Sequence, residues 1–204
     1  MADILKFPIQ QSSKKDFIQV RKRRQAKLED LGQLNLFRPT STNIFHLNDQ
    51  SYFEQALLLD DQNDQDAQVL YQKSIDANEA VADSLCNLGI IQSRRDEHIK
   101  AFDCFTKALH ADSRHIESHY NLANLYFDTG QLNLAQFHYE SALSIKSNFA
   151  NAIFNLALLH IVREDLLTAR KLLLRFLEIA PAKDYPDARD LVNAIEQVPV
   201  NSPS

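Results

Sequence analysis

Residues 116–149 read IESHYNLANLYFDTGQLNLAQFHYESALSIKSNF. Within them Asn121-Leu122-Ala123 is followed by Tyr126, Gly130, Ala135, Tyr139 and Ala142. The first triplet has copies 34 residues away on both sides, Asn87-Leu88-Gly89 and Asn155-Leu156-Ala157. Ala67, Ala101, Ala135 and Ala169 share the same period. Four residues after each alanine stands Tyr71, Phe105, Tyr139 or Leu173, and three further on stands Ser74, Ala108, Ala142 or Phe176. Self-similarity at a fixed period of this size marks stacked repeats, each too small to bury its apolar face alone. Four units result: 48–81, 82–115, 116–149 and 150–183.

The residues that carry this register resemble the tetratricopeptide repeat (TPR) family, whose 34-residue unit is a pair of antiparallel helices. The resemblance rests on Leu122, Ala123, Tyr126, Gly130, Ala135, Tyr139 and Ala142 in the third unit. It rests also on Leu85, Leu88, Gly89, Ala101, Phe105 and Ala108 in the second, and on Leu156, Ala157, Ala169 and Pro181 in the fourth. It implies an all-α, right-handed superhelical solenoid of about four helical hairpins. The packing logic is independent of the name. Small residues at 89, 123 and 157, facing 101, 135 and 169, let two helix backbones approach within about 8 Å, and the large residue one turn later fills the space beside them. The first unit departs, with Glu54 and Gln55 where Leu and a small residue are expected, although a one-residue slip places Ala56 there. The fourth departs with Phe176 at a small position. Atypical end units suit a solenoid, because an end has only one neighbour.

Beyond the repeats, Asp187 to Gln197 carries Ala188, Leu191, Val192 and Ile195 at helical spacing, which predicts a capping helix within 184–198 and a polar tail over 199–204. Residues 1–46 lack the repeat signature and read as a basic, flexible arm. Within it, Lys14 to Leu36 admits a basic helix with Phe17, Val20, Leu28, Leu31 and Leu34 on one side. Composition agrees with an all-helical body. Three glycines in 204 residues are too few for a mixed α/β enzyme with phosphate loops. The net charge of -5 divides unevenly, with nine Lys and Arg against four Asp and Glu up to Arg38, and 13 against 23 thereafter. Cys86 and Cys104 lie in apolar periodic segments, as free thiols in a reducing compartment do. With no apolar leader and no run long enough for a membrane span, a cytoplasmic protein is expected, or a nuclear one in a eukaryote.

Asn87, Asn121 and Asn155 occupy the same place on the first helix of three successive units. First helices line the concave face of such an array, so the three amides form a candidate ladder along a groove. An amide donates and accepts, and so pairs with the main chain of an extended peptide without reading its side chains. The plainer reading is that these amides satisfy local hydrogen bonds within the repeats. Groove positions implied by the resemblance add Arg94 in the second unit, Tyr120, Asn124, Phe127 and Asp128 in the third, and Phe154 in the fourth. Tyr52 and Ala56 stand where carboxylate-clamping relatives use Lys and Asn, which disfavours that ligand. The aromatic and aliphatic positions suit a ligand with apolar anchors, unless the cap helix or the chain's own arm covers them.

Two further signals lie in the arm. Gln33-Leu34-Asn35-Leu36-Phe37 resembles the short motif by which bacterial replication and repair proteins dock on the sliding clamp, with Asn35 departing from the usual Ser or Asp. In that reading Leu36 and Phe37 fill an apolar pocket while Gln33 bonds at its rim; in the other, Leu34, Leu36 and Phe37 pack onto the first repeat. Arg21, Lys22, Arg23 and Arg24 form a basic run suited to weak, non-specific nucleic-acid contact, to nuclear import, to resting on the acidic first repeat, or simply to solvation. His115 and His119 have i, i+4 spacing, but no HExxH and no further ligand completes a metal site. No cofactor, metal or catalytic group is expected. The expected function is a non-catalytic adaptor that binds a partner's peptide or helix in the groove, with a clamp-recruited replication or repair factor as the alternative.

Overall fold

A computed structural model of the chain describes residues 19–20, 50–62, 65–180 and 186–198. Among these residues nine helices occur in the order α1 (Tyr52–Asp61), α2 (Ala67–Asp76), α3 (Val81–Arg94), α4 (His98–Ala111), α5 (Ile116–Asp128), α6 (Leu132–Ile145), α7 (Ala150–Val162), α8 (Leu166–Ile179) and α9 (Pro186–Glu196). The first eight pack as consecutive hairpins, α1 on α2, α3 on α4, α5 on α6 and α7 on α8, and each hairpin rests on the next through its second helix. The first helices also meet one another directly, α3 against α5 and α5 against α7. The result is an all-α helical repeat array.

The spacing that marks the repeats is the spacing that fills the core. Ala101, Ala123, Ala135, Ala157 and Ala169 are fully buried, with Phe105, Tyr139 and Leu173 buried beside them. Gly89 lies so close to Phe105 that a methyl group there would sit 2.6 Å from the ring. In the first hairpin Ala56 takes the small position and packs with Ala67 and Tyr71, which is the one-residue slip read from the sequence. Ser51 starts α1 with a capping box, its hydroxyl accepting from the Glu54 N–H while the Glu54 carboxylate accepts from the Ser51 N–H. Asp165 caps α8 through the Thr168 amide.

Each of the last three hairpins turns on a residue with positive φ at one shared place in the unit: Asp96 (60°), Gly130 (75°) and Glu164 (61°). Only one of the three is glycine, so the low glycine content reflects tolerated strain as well as fold class. At the far end α9 packs on α8, and Ala188, Val192 and Ile195 join Phe176, Leu173 and Ile153 in one buried cluster. Phe176, at a position that is small in the second and third units, fills this cluster and lies 5.1 Å from the Phe154 ring. No helix among the described residues is long and apolar enough to cross a membrane.

One reading of the arm needs correction. Gln19 and Val20 fall inside the stretch that admits a basic helix, yet neither is helical. Both main-chain groups of Val20 are bonded to a side chain of the repeats, which removes them from any helical hydrogen-bond pattern. The clamp-like residues Gln33, Leu34, Leu36 and Phe37 and the basic residues Arg21, Lys22, Arg23 and Arg24 lie outside the described residues.

Candidate functional site: the face of the first helices

Helices α3, α5 and α7, the first helices of their hairpins, carry the candidate groove residues. Asn87, on α3, is fully buried. Its Oδ1 accepts from the Val20 N–H at 2.8 Å, and its Nδ2 donates to the Val20 carbonyl at 3.0 Å and to the Tyr71 hydroxyl at 3.1 Å. One amide thus takes the N–H and C=O of the same residue, which point to one side only when that residue is extended, as in a hydrogen-bonded antiparallel pair. Val20 itself is 2% exposed and shares an apolar cluster with Cys86, Ile90, Leu122 and Leu125.

Beside it, the Gln19 amide donates to Asp60 Oδ2 at 2.7 Å. The Asp60 side chain is 4% exposed and also accepts from the Tyr71 hydroxyl and from Arg94, each at 3.2 Å. Burial, reinforced by the Asp60 charge, pushes the Tyr71 hydroxyl well above its ordinary pKa and keeps it a donor. Arg94, predicted as a groove contact, is exposed on its outer side while its guanidinium serves this buried carboxylate.

The other two amides turn toward the preceding repeat. Asn121 is fully buried, and its Nδ2 donates to Cys86 Sγ at 3.4 Å. Asn155 donates to the Tyr120 hydroxyl at 3.0 Å and to Asn124 Oδ1 at 2.9 Å. Asn124 Oδ1 also accepts from the Tyr139 hydroxyl at 2.5 Å, while its buried Nδ2 has no hydrogen-bond partner among the described residues. Tyr120 is buried between Tyr139 and Phe149. Phe127 and Phe154 are half-buried and Asp128 is exposed. The structure therefore brings Asn155, Asn124 and Tyr120 into one network and sets Asn87 in a separate one with Val20, Tyr71, Asp60 and Arg94.

Sequence reasoning passed over Gln19, Asp60 and Tyr71 as site residues, and placed Val20 only on a helix face. His115, His119 and His138 behave as packing and capping groups. His115 Nδ1 accepts from the Ser118 N–H at the start of α5, and its Nε2 meets Asp83 at 2.8 Å. His119 and His138 pair through Nδ1 at 3.0 Å, and burial together with the neighbouring ring holds His138 down to about 4. No group of three or more His, Cys, Asp or Glu placed to hold a metal ion occurs among the described residues.

Stacked helical hairpins with a continuous face of first helices define a helical-repeat scaffold. The Tetratricopeptide repeat family matches at residues 116–149, the stretch that forms the third hairpin of the array. Solved structures share the fold. MamA aligns with a TM-score of 0.60 at 18% identity, over 70% of this chain and 82% of that one. The first TPR of Spaghetti (RPAP3), solved bound to the HSP90 peptide SRMEEVD, aligns at 0.53 and 23% identity, over 57% and 90%. The type III secretion chaperone SycD of Yersinia enterocolitica, in complex with a peptide of the translocator YopD, aligns at 0.53 and 18%, over 57% and 92%. A search of curated proteins finds no match.

Proposed function

We propose that the chain is a non-catalytic interaction module whose first-helix face captures a segment of a partner protein chiefly through its main chain. The observation that carries this reading is the paired bond from Asn87 to both main-chain groups of Val20, a non-local segment held as a bound peptide is held. The half-buried Phe127 and Phe154 supply apolar anchors. The peptide-bound Spaghetti and SycD folds support the reading by analogy of fold.

The test is selection of binding peptides from a displayed 16-residue library on the full chain, followed by fluorescence anisotropy with variants whose melting is unchanged. Phe127→Ala weakens the selected peptides about tenfold, as loss of one apolar anchor worth about 1.4 kcal/mol does. Phe137→Ala, on the exposed side of α6, leaves them unaffected. The opposite pattern, loss with Phe137→Ala and none with Phe127→Ala, refutes the groove reading.

A further inference from the structure

The notch bounded by α1, α3 and α5 holds a segment of this chain rather than solvent, and the chemistry of that occupancy is explicit. We propose that Gln19–Val20 is a resident ligand of the notch, and that a partner segment enters there by displacing it. The segment that fits is extended, with an amide side chain followed by a β-branched aliphatic residue. This rests on the reading of the first-helix face as the interaction face, and adds what its first half selects and how access to it is controlled.

Three features specify the ligand. Asn87 reads the main chain of one residue on both its polar groups and so demands extension but no particular side chain. The apolar cluster of Cys86, Ile90, Leu122 and Leu125 receives the side chain of that residue, and Val20 fills it to 2% exposure. Asp60, one residue along, accepts a neutral amide donor from Gln19. A cation in its place would compete with Arg94, which already neutralises this carboxylate.

Two more features make the resident exchangeable. Asp60 keeps Arg94 and Tyr71 as partners when Gln19 leaves, and Asn87 keeps the Tyr71 hydroxyl when Val20 leaves. The empty notch therefore strands no charge, and water entering from the open side satisfies Asn87 Oδ1. The contact also joins residues 67 apart, so the repeats do not depend on it for their chain path. While the resident is seated, a competing segment binds with an affinity reduced by the fraction of open notch.

The experiment uses the full chain and a fluorescein-labelled peptide of residues 15–24, read by anisotropy at physiological salt. Val20→Glu in the protein places a charge in the apolar pocket and empties the notch, so this variant binds the peptide at least tenfold more tightly than wild type. The same Val20→Glu change in the peptide abolishes its binding. A second measurement needs no variant: the Val20 amide, donating to Asn87, exchanges with deuterium at least tenfold more slowly than an unstructured amide. Equal peptide affinity for wild type and variant overturns the resident-ligand proposal while leaving the groove reading to the Phe127 test. An unprotected Val20 amide, or a peptide that binds neither protein, overturns it as well.

Discussion

At the scale of single residues the fold depends on how closely two helices approach. Gly89 faces the Phe105 ring across the α3–α4 contact, and a Cβ at Gly89 would lie 2.6 Å from Phe105 Cε1 and 2.8 Å from Cδ1. Phe105 is fully buried, so its ring cannot swing aside without moving its neighbours. Two effects of Gly89→Ala oppose each other. Alanine favours the helix by about 1 kcal/mol, whereas overpacking a filled core costs about 1–3 kcal/mol. Packing wins, and urea unfolding of Gly89→Ala is expected to show a net loss of about 1 kcal/mol. Adding Phe105→Leu makes room, so the double variant should be more stable than the sum of the two single losses predicts. An Ala variant more stable than wild type would show that the ring yields freely. At the same scale, the Asn87 contact shows why part of the site is silent in sequence. Every residue but proline presents an N–H and a C=O, so a side chain that reads the main chain leaves no mark on the residue it reads. Asn87 stands out because it recurs; Val20 does not.

At the scale of helices and turns the repeat was legible because the same steric demand is met four times. The alanines at 67, 101, 135 and 169 all end fully buried, and each large residue four positions later is buried with them. The helix-period pattern of Ala188, Val192 and Ile195 likewise gave the cap, since those side chains close the last cluster. The turns were less legible. The place occupied by Gly130 takes positive φ in each of the last three hairpins, but Asp96 and Glu164 adopt it without announcing it. A non-glycine residue in the left-handed region costs about 1–2 kcal/mol, and glycine returns about 0.4–1 kcal/mol of that through the freedom of the unfolded chain. Glu164→Gly is therefore expected to stabilise the protein by about 0.5–1 kcal/mol in chemical denaturation. Asp96→Gly gains less, because aspartate tolerates this conformation better than glutamate. A loss on Glu164→Gly would mean that the turn is not strained by its side chain.

At the scale of the whole molecule, the array is a chain of neighbours with a different closure at each end. The last hairpin is held by α6 on one side and α9 on the other, and Phe176 is the side chain that joins α7 and α8 to α9. Because each hairpin contacts only those beside it, the stability of one end need not be shared with the other. Phe176→Ala removes a fully packed ring from this end cluster, a change that costs about 3–5 kcal/mol in a rigid core. The consequence is local. Hydrogen exchange followed along the chain should speed up over α7, α8 and α9 while the amides of α3 and α4, two hairpins away, keep their wild-type protection. Gln19 and Val20 bear on the opposite end, where they tie α1 and α3 together through Asp60 and Asn87, so the Val20 amide should also keep its protection in this variant. Loss of protection spread evenly from α3 to α9 would instead mean that the hairpins unfold as one unit. The face of first helices would then open as a whole, and displacement of Val20 at one end would be felt at Asn155 at the other.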